Sequence, residues 1–265
     1  MITTLGVAGL GVAGAVTATL HGFGLDGLAA MAADGPFDRA VMRPPSLKGK
    51  VLEIDPATAL SAAACARLRP QLEGIADDRI GIVVASRIGN YQILNSFSGK
   101  VRRGGRSPVQ FSGSGYNVCA GVAAMAAGVN GPSLALAGGS ANLGDALGVA
   151  AFDMLRGDAD AMMVGVVAVE PGGKVGAATF LAVTATPRTG APALRLGTEP
   201  VGEAGAEPAV LPLPGTAAAS LLARLPELVM PFSLVMALDG DAFLEPGHFD
   251  FPDAAVVRRV DLTHA

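Results

Sequence analysis

The 265-residue chain has no tryptophan, two tyrosines, two cysteines, three histidines and only 16% charged residues. Each scarcity excludes something. Cys65 and Cys119 sit in alanine-rich surroundings and read as buried free thiols rather than a disulfide or metal pair, so a reducing cytoplasm is the expected location. No Cys/His spacing of a zinc site is present, and neither a metal nor a cofactor is expected. A net charge of −4 and a pI near 5.4, with no basic stripe to neutralise phosphates, argue against nucleic acid as a partner. The first 25 residues carry no side-chain charge, yet they lack the basic start of a signal peptide. Six glycines, four threonines and His21 also break them too often for a membrane span. The expectation there is a buried strand over residues 2–7 followed by a glycine-rich turn.

What the chain has is apolar bulk: 51% hydrophobic residues and 36 glycines, suited to tightly packed α/β layers. Periodicity predicts a helix over residues 60–75, started near Asp55 or Thr58 and kinked at Pro70, and a β-branched strand over 79–85. It further predicts a small-residue helix over 117–127, a strand over 133–137, a helix over 140–155 ending at Gly157, and strands over 161–169 and 177–184. Strands alternating with helices imply an α/β domain with a mostly parallel sheet. Residues 187–215 hold six prolines and read as an irregular connection. A helix is expected over 216–230 and a strand over 232–238, and the tail from 239 has no assignment. Residues 107–144 carry no charge at all, which points to buried core and subunit interface.

The densest information lies in Gly131-Pro132-Ser133, the short strand after it, and Gly138-Gly139-Ser140-Ala141-Asn142 leading into a helix. That order puts Ser140 at a helix N-terminus, where free N–H groups favour developing negative charge. A serine there needs an adjacent base to act as a nucleophile, and Asn142 departs from the Gly-x-Ser-x-Gly elbow. Asp145 and His21 are conceivable partners, but no spacing brings them together. Ser140 also reads simply as an N-cap. Asp158 and Asp160 fit a structural helix-to-strand turn better than a pair of catalytic carboxylates.

Gly131-Pro132-Ser133, Gly148 and the run Arg156-Gly157-Asp158-Ala159-Asp160-Ala161-Met162-Met163-Val164-Gly165 resemble the N-terminal half of β-ketoacyl-acyl-carrier-protein synthases, members of the thiolase fold. So do residues 80–89, Ser107-Pro108 and Asn117 with its helix. The resemblance implies a thiolase-like layered α/β fold. It spans residues 1–185, with 186–215 as a Pro/Gly-rich connection and 216–265 as a reduced remnant of the second half. Ungapped counting from both flanks sets Ser140 at the position of the family's active-site cysteine. The family's second-half histidine motif is unmatched: His248 lies in Glu245-Pro246-Gly247-His248, and none of the four lysines follows Lys174.

Condensation by this chain alone is therefore not expected, so no catalytic residue is assigned. The resemblance is best to short chain-length factors: inactive relatives that pair with a full-length ketosynthase and shape its acyl tunnel in polyketide, aryl polyene or fatty-acid-like biosynthesis. It implies that the helix over 117–127 and the strand over 133–137 meet the partner across a two-fold axis. Ile88, Gln110, Phe111, Tyr116, Asn117, Met125, Leu134 and Leu136 become candidates for interface or tunnel lining, with core packing the competing reading for each. The cluster Lys100, Arg102, Arg103 and Arg106 reads as a solvated loop or as a docking spot for the acidic acyl carrier protein. Two other functions stay open: a serine-dependent acyltransferase or thioesterase using Ser140, and a homodimeric acyl-binding protein.

Overall fold

Runs of valine, isoleucine and alanine bounded by glycine and aspartate supply the strands, and alanine-rich stretches with polar starts supply the helices. The computed structural model describes residues 10–33, 35–47, 53–137, 143–187, 192–200, 225, 228, 248–252 and 256–264. Its first elements are β1 (Leu10–Thr19), β2 (Gly22–Phe23), α1 (Gly24–Ala32), α2 (Arg39–Met42), α3 (Pro56–Leu68) and β3 (Ile80–Ser86). Then come α4 (Tyr91–Arg102), α5 (Pro108–Gly113), α6 (Val118–Ala127), β4 (Ser133–Ala137), α7 (Leu143–Leu155), β5 (Ala161–Val169) and β6 (Gly176–Thr184). The described part closes with β7 (Pro192–Pro200), β8 (His248–Pro252) and β9 (Val256–His264).

All nine described strands join one sheet of order β4-β3-β5-β6-β1-β7-β9-β8, with β2 on β1. The sheet is mixed, which corrects the expectation of a mostly parallel one: only β3–β4 and β3–β5 run parallel. The cause is local. β5 turns straight back into β6 through Glu170–Val175, where Glu170 N–H donates to the Val175 carbonyl at 2.9 Å and Gly173 takes φ +69°. A turn that short joins only antiparallel strands.

Strand parity builds two cores. Met162, Val164 and Val166 of β5 face α7 and α1, joined by Leu28, Met31, Leu143, Leu147 and Ala150. Ala161, Met163 and Val167 face α3 and α6, with Leu60, Cys65, Leu68, Cys119 and Ala123. β1 serves both cores by changing phase, because an irregularity between Val12 and Gly14 flips its alternation. Leu10 and Val12 face the first core, Val16 and Ala18 the second.

Several sequence expectations are corrected here. β1 occupies ground read as a glycine-rich turn. Its glycines are close-approach positions: a Cβ on Gly11 would lie 2.6 Å from Thr184 Oγ1. The expected strand over 2–7 lies outside the described residues. α3 starts earlier than periodicity suggested, at Pro56 behind an Asp55 cap, and ends at Leu68. Pro70 sits in a following 3-10 turn instead of kinking a longer helix. The connection expected to be irregular contains β7, paired with β9 from Pro192↔His264 to Pro200↔Val256. Its prolines stand at the strand's two ends, where a missing donor disturbs the ladder least. The tail contributes β8 and β9. The expected strand over 232–238 lies outside the described residues, as does the helix over 216–230 except for Leu225 and Leu228, which are buried against α7's core.

Gly165, in the middle of β5, leaves room for the Phe180 ring on β6: a Cβ there would sit 2.3 Å from the ring. Gly165→Ala is expected to cost about 2 kcal/mol by overpacking, seen as a lower urea midpoint with an unchanged slope.

Candidate functional site

The ends of β3, β4 and β5 point the same way, and the chain leaves β3 at Ser86 for a long excursion through α4, α5 and α6 before returning as β4. A buried polar network anchors that excursion. Asp55, 1% exposed, caps two helices at once: one carboxylate oxygen accepts from Ala57 N–H at 2.9 Å in α3, the other from Ile93 N–H at 3.0 Å in α4. Thr58 donates its hydroxyl proton to Asn90 Oδ1 at 2.7 Å, and Asn90 Nδ2 donates to the Gly113 and Gly115 carbonyls at 3.0 and 3.2 Å. Ser86 Oγ accepts from Gly89 N–H at 3.0 Å, and Tyr116 donates its phenol proton to the Arg87 carbonyl. Gly89, at φ +52°, lies under the Tyr116 ring. Burial, the first influence, pushes the Asp55 carboxyl above its ordinary value of 3.8, while the N–H groups of Ile93 and Ala57 pull it back.

Asn90 was not recognised from the sequence. Its partners are 23 to 32 residues away, so no local spacing announces it.

Ser140, Asn142 and the two glycines before Ser140 lie outside the described residues. The helix that follows is α7, with Asp145 in its first turn. His21 Nδ1 is 3.2 Å from the Pro36 carbonyl, and Phe37 packs edge-on against the ring. Both thiols are free and buried. Burial pushes Cys119 up to about 11 and raises Cys65 further, with Cys119 adding to the latter shift, so neither forms a thiolate near neutral pH. Asp160 holds β3 to β5: Arg79 Nη2 and Nε donate to its carboxylate at 2.7 and 3.1 Å, and Arg79 Nη1 donates to the Gly157 carbonyl at 2.7 Å. Asp158 pairs with Arg156 at 3.1 Å. The structural reading of the Asp158–Asp160 turn holds. Among the described residues no group of three or more His, Cys, Asp or Glu side chains is placed to hold a metal ion.

The candidates for interface or tunnel lining divide by position. Phe111, Asn117, Met125 and Leu134 are exposed, Phe111 to 67%. Ile88, Gln110, Tyr116 and Leu136 are half-buried, and Leu136 packs against α7's core. Gln110 Nε2 donates to Ser96 Oγ at 3.1 Å and to Glu53 at 3.3 Å, which ties α5 to α4. Asn117 begins α6 without a side-chain cap bond. β4 is the sheet's outer strand on this side and is exposed or half-buried along its whole length. The cationic cluster is less of a loop than expected. Lys100 and Arg102 form the last turn of α4, where positive charge complements the helix dipole, and Arg103 follows as its cap. A groove of about 500 Å³ lies beside them, walled by Phe97 and Phe111 with ring centroids 5.7 Å apart.

Comparison with known proteins fits this geometry. Solved structures that share the fold include the following three. The ishigamide ketosynthase/chain length factor matches at TM-score 0.66 and 16% identity, covering 97% of this chain and 99% of that one. The ketosynthase ApeO in complex with its chain length factor ApeC from Xenorhabdus doucetiae matches at 0.60 and 12%, with 96% and 99% covered. AntDE:AntF, a type II polyketide synthase acyl-carrier protein in complex with its ketosynthase, matches at 0.65 and 12%, with 97% and 99% covered. No curated protein matches the chain. The sequence model of the β-ketoacyl synthase N-terminal domain matches residues 50–191, more than half the chain and the whole stretch from the Asp55 cap through β4, α7, β5 and β6. With its thiolase-like layered α/β fold, the chain belongs to the β-ketoacyl synthase family.

Proposed function

We propose that this chain is a non-catalytic, chain-length-factor-like partner subunit of a full-length ketosynthase. The observation that carries the reading is the outer strand β4 with α6 beside it, and α5 earlier in the same stretch of chain. A family fold presents Leu134, Met125 and Phe111 to solvent on a contiguous chain excursion, where an isolated protein would be expected to cover them. A ketosynthase seated there would bury the strand edge. It would also take the half-buried set Ile88, Gln110, Tyr116 and Leu136 as lining near the tunnel.

Serine in place of the nucleophilic cysteine, together with the unmatched histidine motif, supports a pseudoenzyme whose contribution is shape. The acyl chain is made by the partner, on substrate delivered by an acyl carrier protein, in polyketide, polyene or fatty-acid-like biosynthesis. Residues 1–185 supply the ketosynthase-like region, with 186–215 as connection and 216–265 as a reduced second half. Two buried reduced thiols suit a cytoplasmic setting. Among the described residues no helix is long and apolar enough to cross a membrane.

The test is reconstitution with the ketosynthase from the same source. Ser140→Ala is expected to leave the condensing rate of the pair within about 2-fold, because no step is assigned to the hydroxyl. A loss of about 100-fold or more, or a covalent acyl adduct on Ser140 found by mass spectrometry, would replace this reading with serine acyl chemistry.

A further inference from the structure

On one side β1 is paired with β6 from Gly11 to Thr19. Its other side is paired only near the ends: Leu10 and Gly11 face β7, and Ala18 and Thr19 face β2. Among the described residues, 12–17 have no ladder partner on that side. A groove of about 680 Å³ follows this open edge. Phe23 stands at its β2 end, Pro192 at its β7 end, and Arg67, Leu68, Pro70 and Gln71 wall it from α3 and the 3-10 turn after it. With Ala193 opposite Gly11 and Phe23 opposite Ala18, Pro192 closes the slot near Val12 and leaves the positions opposite residues 13–17 open, about 17 Å of extended chain. The irregularity between Val12 and Gly14 lies at the β7 end, so the alternation is regular from Gly14 onward. Residues 12–17 carry neither charge nor proline, two of the usual guards of an unpaired edge.

We infer that this slot takes up an extended segment of a partner protein, about five residues long, as an added strand beside β1, with a carboxylate at the end near Phe23. Backbone groups on the open side of β1 supply pairing whatever the sequence, and the walls select side chains. Gly14 lies against α3's end, since a Cβ there would sit 2.9 Å from Gln71 Cγ and 3.4 Å from a Leu68 methyl. Side chains of an added strand on that face would meet Leu68, Pro70 and Gln71, which suits small or β-branched residues. The exposed Arg67 guanidinium lies 5.1 Å over the Phe23 ring and makes no ion pair among the described residues, whereas Arg69 is engaged by Asp77 at 2.6 Å. An unpaired guanidinium at one end of the slot matches a carboxylate there. The edge of a folded sheet does not fit, because β2 and β7 stand in line with the missing strand and close both ends. A second copy's β1 is excluded for the same reason, being recessed in its own slot. Three strands, β3, β5 and β6, separate β1 from β4, so the inference does not rest on the partner-subunit reading.

Hydrogen exchange of the full chain, read by mass spectrometry on fragments covering β1, tests this with the probe acetyl-Glu-Val-Thr-Val-Thr-amide. Lying antiparallel to β1, the probe brings its carboxylate to the Arg67 end. In the free chain the outward amides of residues 12–17 are expected to exchange at least about 10-fold faster than those of the β5–β6 ladder, and saturating probe should slow them about 10-fold. The same peptide N-methylated at its three central residues cannot donate to the ladder and should protect nothing. Arg67→Ala, at an exposed position, should keep the wild-type melting temperature and need about 5-fold more probe for half protection. Amides of residues 12–17 already as slow as the β5–β6 ladder in the free chain would overturn the inference, because the edge is then covered. Protection that grows with protein concentration alone would overturn it in favour of a second copy. Equal protection by the N-methylated peptide, or unchanged affinity in Arg67→Ala, would overturn it as well. No readout involves a ketosynthase, so failure of the partner-subunit reading is seen separately.

Discussion

Leu134→Asp combined with Met125→Asp is expected to weaken the complex with the ketosynthase by on the order of 100- to 1,000-fold. The same double variant should leave the isolated chain's melting temperature within about 2 °C of wild type. Both side chains are exposed in the single chain, Leu134 on the outer strand and Met125 on the helix beside it, so folding does not depend on burying them. In the proposed complex they would lie under the partner. A carboxylate there would be desolvated without a counter-charge, and on β4 it would blunt an edge otherwise ready to pair. Central apolar anchors of interfaces each contribute about 2 kcal/mol, which sets the size of the effect. The contrast between binding and melting is the informative part. If the melting temperature falls sharply, the two residues belong to the core after all; if the complex is untouched, the partner sits elsewhere.

Asp55→Ala should cost about 3 kcal/mol of folding stability, the largest effect of any single polar truncation considered. Two helix caps are lost together, leaving the N–H groups of Ala57 and Ile93 without acceptors in a buried place. The damage should spread to the Asn90 contacts, because Asp55 fixes the start of α4 where Asn90 stands. Asp55→Asn keeps one acceptor and turns a donor toward the other N–H, so about half that loss is expected.

The pH dependence has a definite sign. Burial holds the folded carboxyl's pKa above that of the unfolded chain, so the folded state keeps the proton more firmly. The associated stability is fully present below the unfolded value near 3.8 and is lost as pH rises through the raised folded value. Asp55→Asn removes this dependence. Urea unfolding of wild type and Asp55→Asn at several pH values from about 3 to 7 checks it. Parallel curves for the two proteins would contradict the assignment.

The interior of the fold was legible where a segment's own residues decide its state. The strands β3, β4, β5 and β6 and the helix α6 lie where valine, isoleucine and alanine runs placed them, within a residue or so. Legibility failed where distant contacts decide. β1 is rich in glycine and reads as a turn, yet its neighbours β6 and β7 hold it extended, and Gly11 and Gly14 are needed for close approach to Thr184 and Gln71. β7 carries prolines at its ends and becomes a strand because β9, more than fifty residues later, pairs with it. The sheet turns antiparallel at β6 through one short turn after β5, whose length does not by itself reveal its geometry, and the later pairs β1–β6, β1–β7, β7–β9 and β8–β9 are antiparallel as well. α4 went unread because its apolar residues Leu94, Phe97 and Val101 are diluted by asparagine, serine and glycine, and most of that face is exposed.

The candidate site divides in the same way. Asp55 was readable as a helix start, since an aspartate before Pro56 is a local signal. Its second cap at Ile93 and the Asn90 contacts were not, because they join segments 23 to 38 residues apart. Phe111, Met125 and Leu134 were named through family resemblance. Their exposure is what separates them from core residues of the same chemistry, and exposure is not written in a one-dimensional pattern.

Co-expression of the full chain with a ketosynthase from the same source, followed by size-exclusion chromatography with mass determination, tests the central claim most directly. The account predicts one species with the mass of a 1:1 complex, whose condensing activity disappears when this chain is left out. A homodimer of this chain that ignores every such ketosynthase, with condensing activity unaffected by its absence, would contradict it.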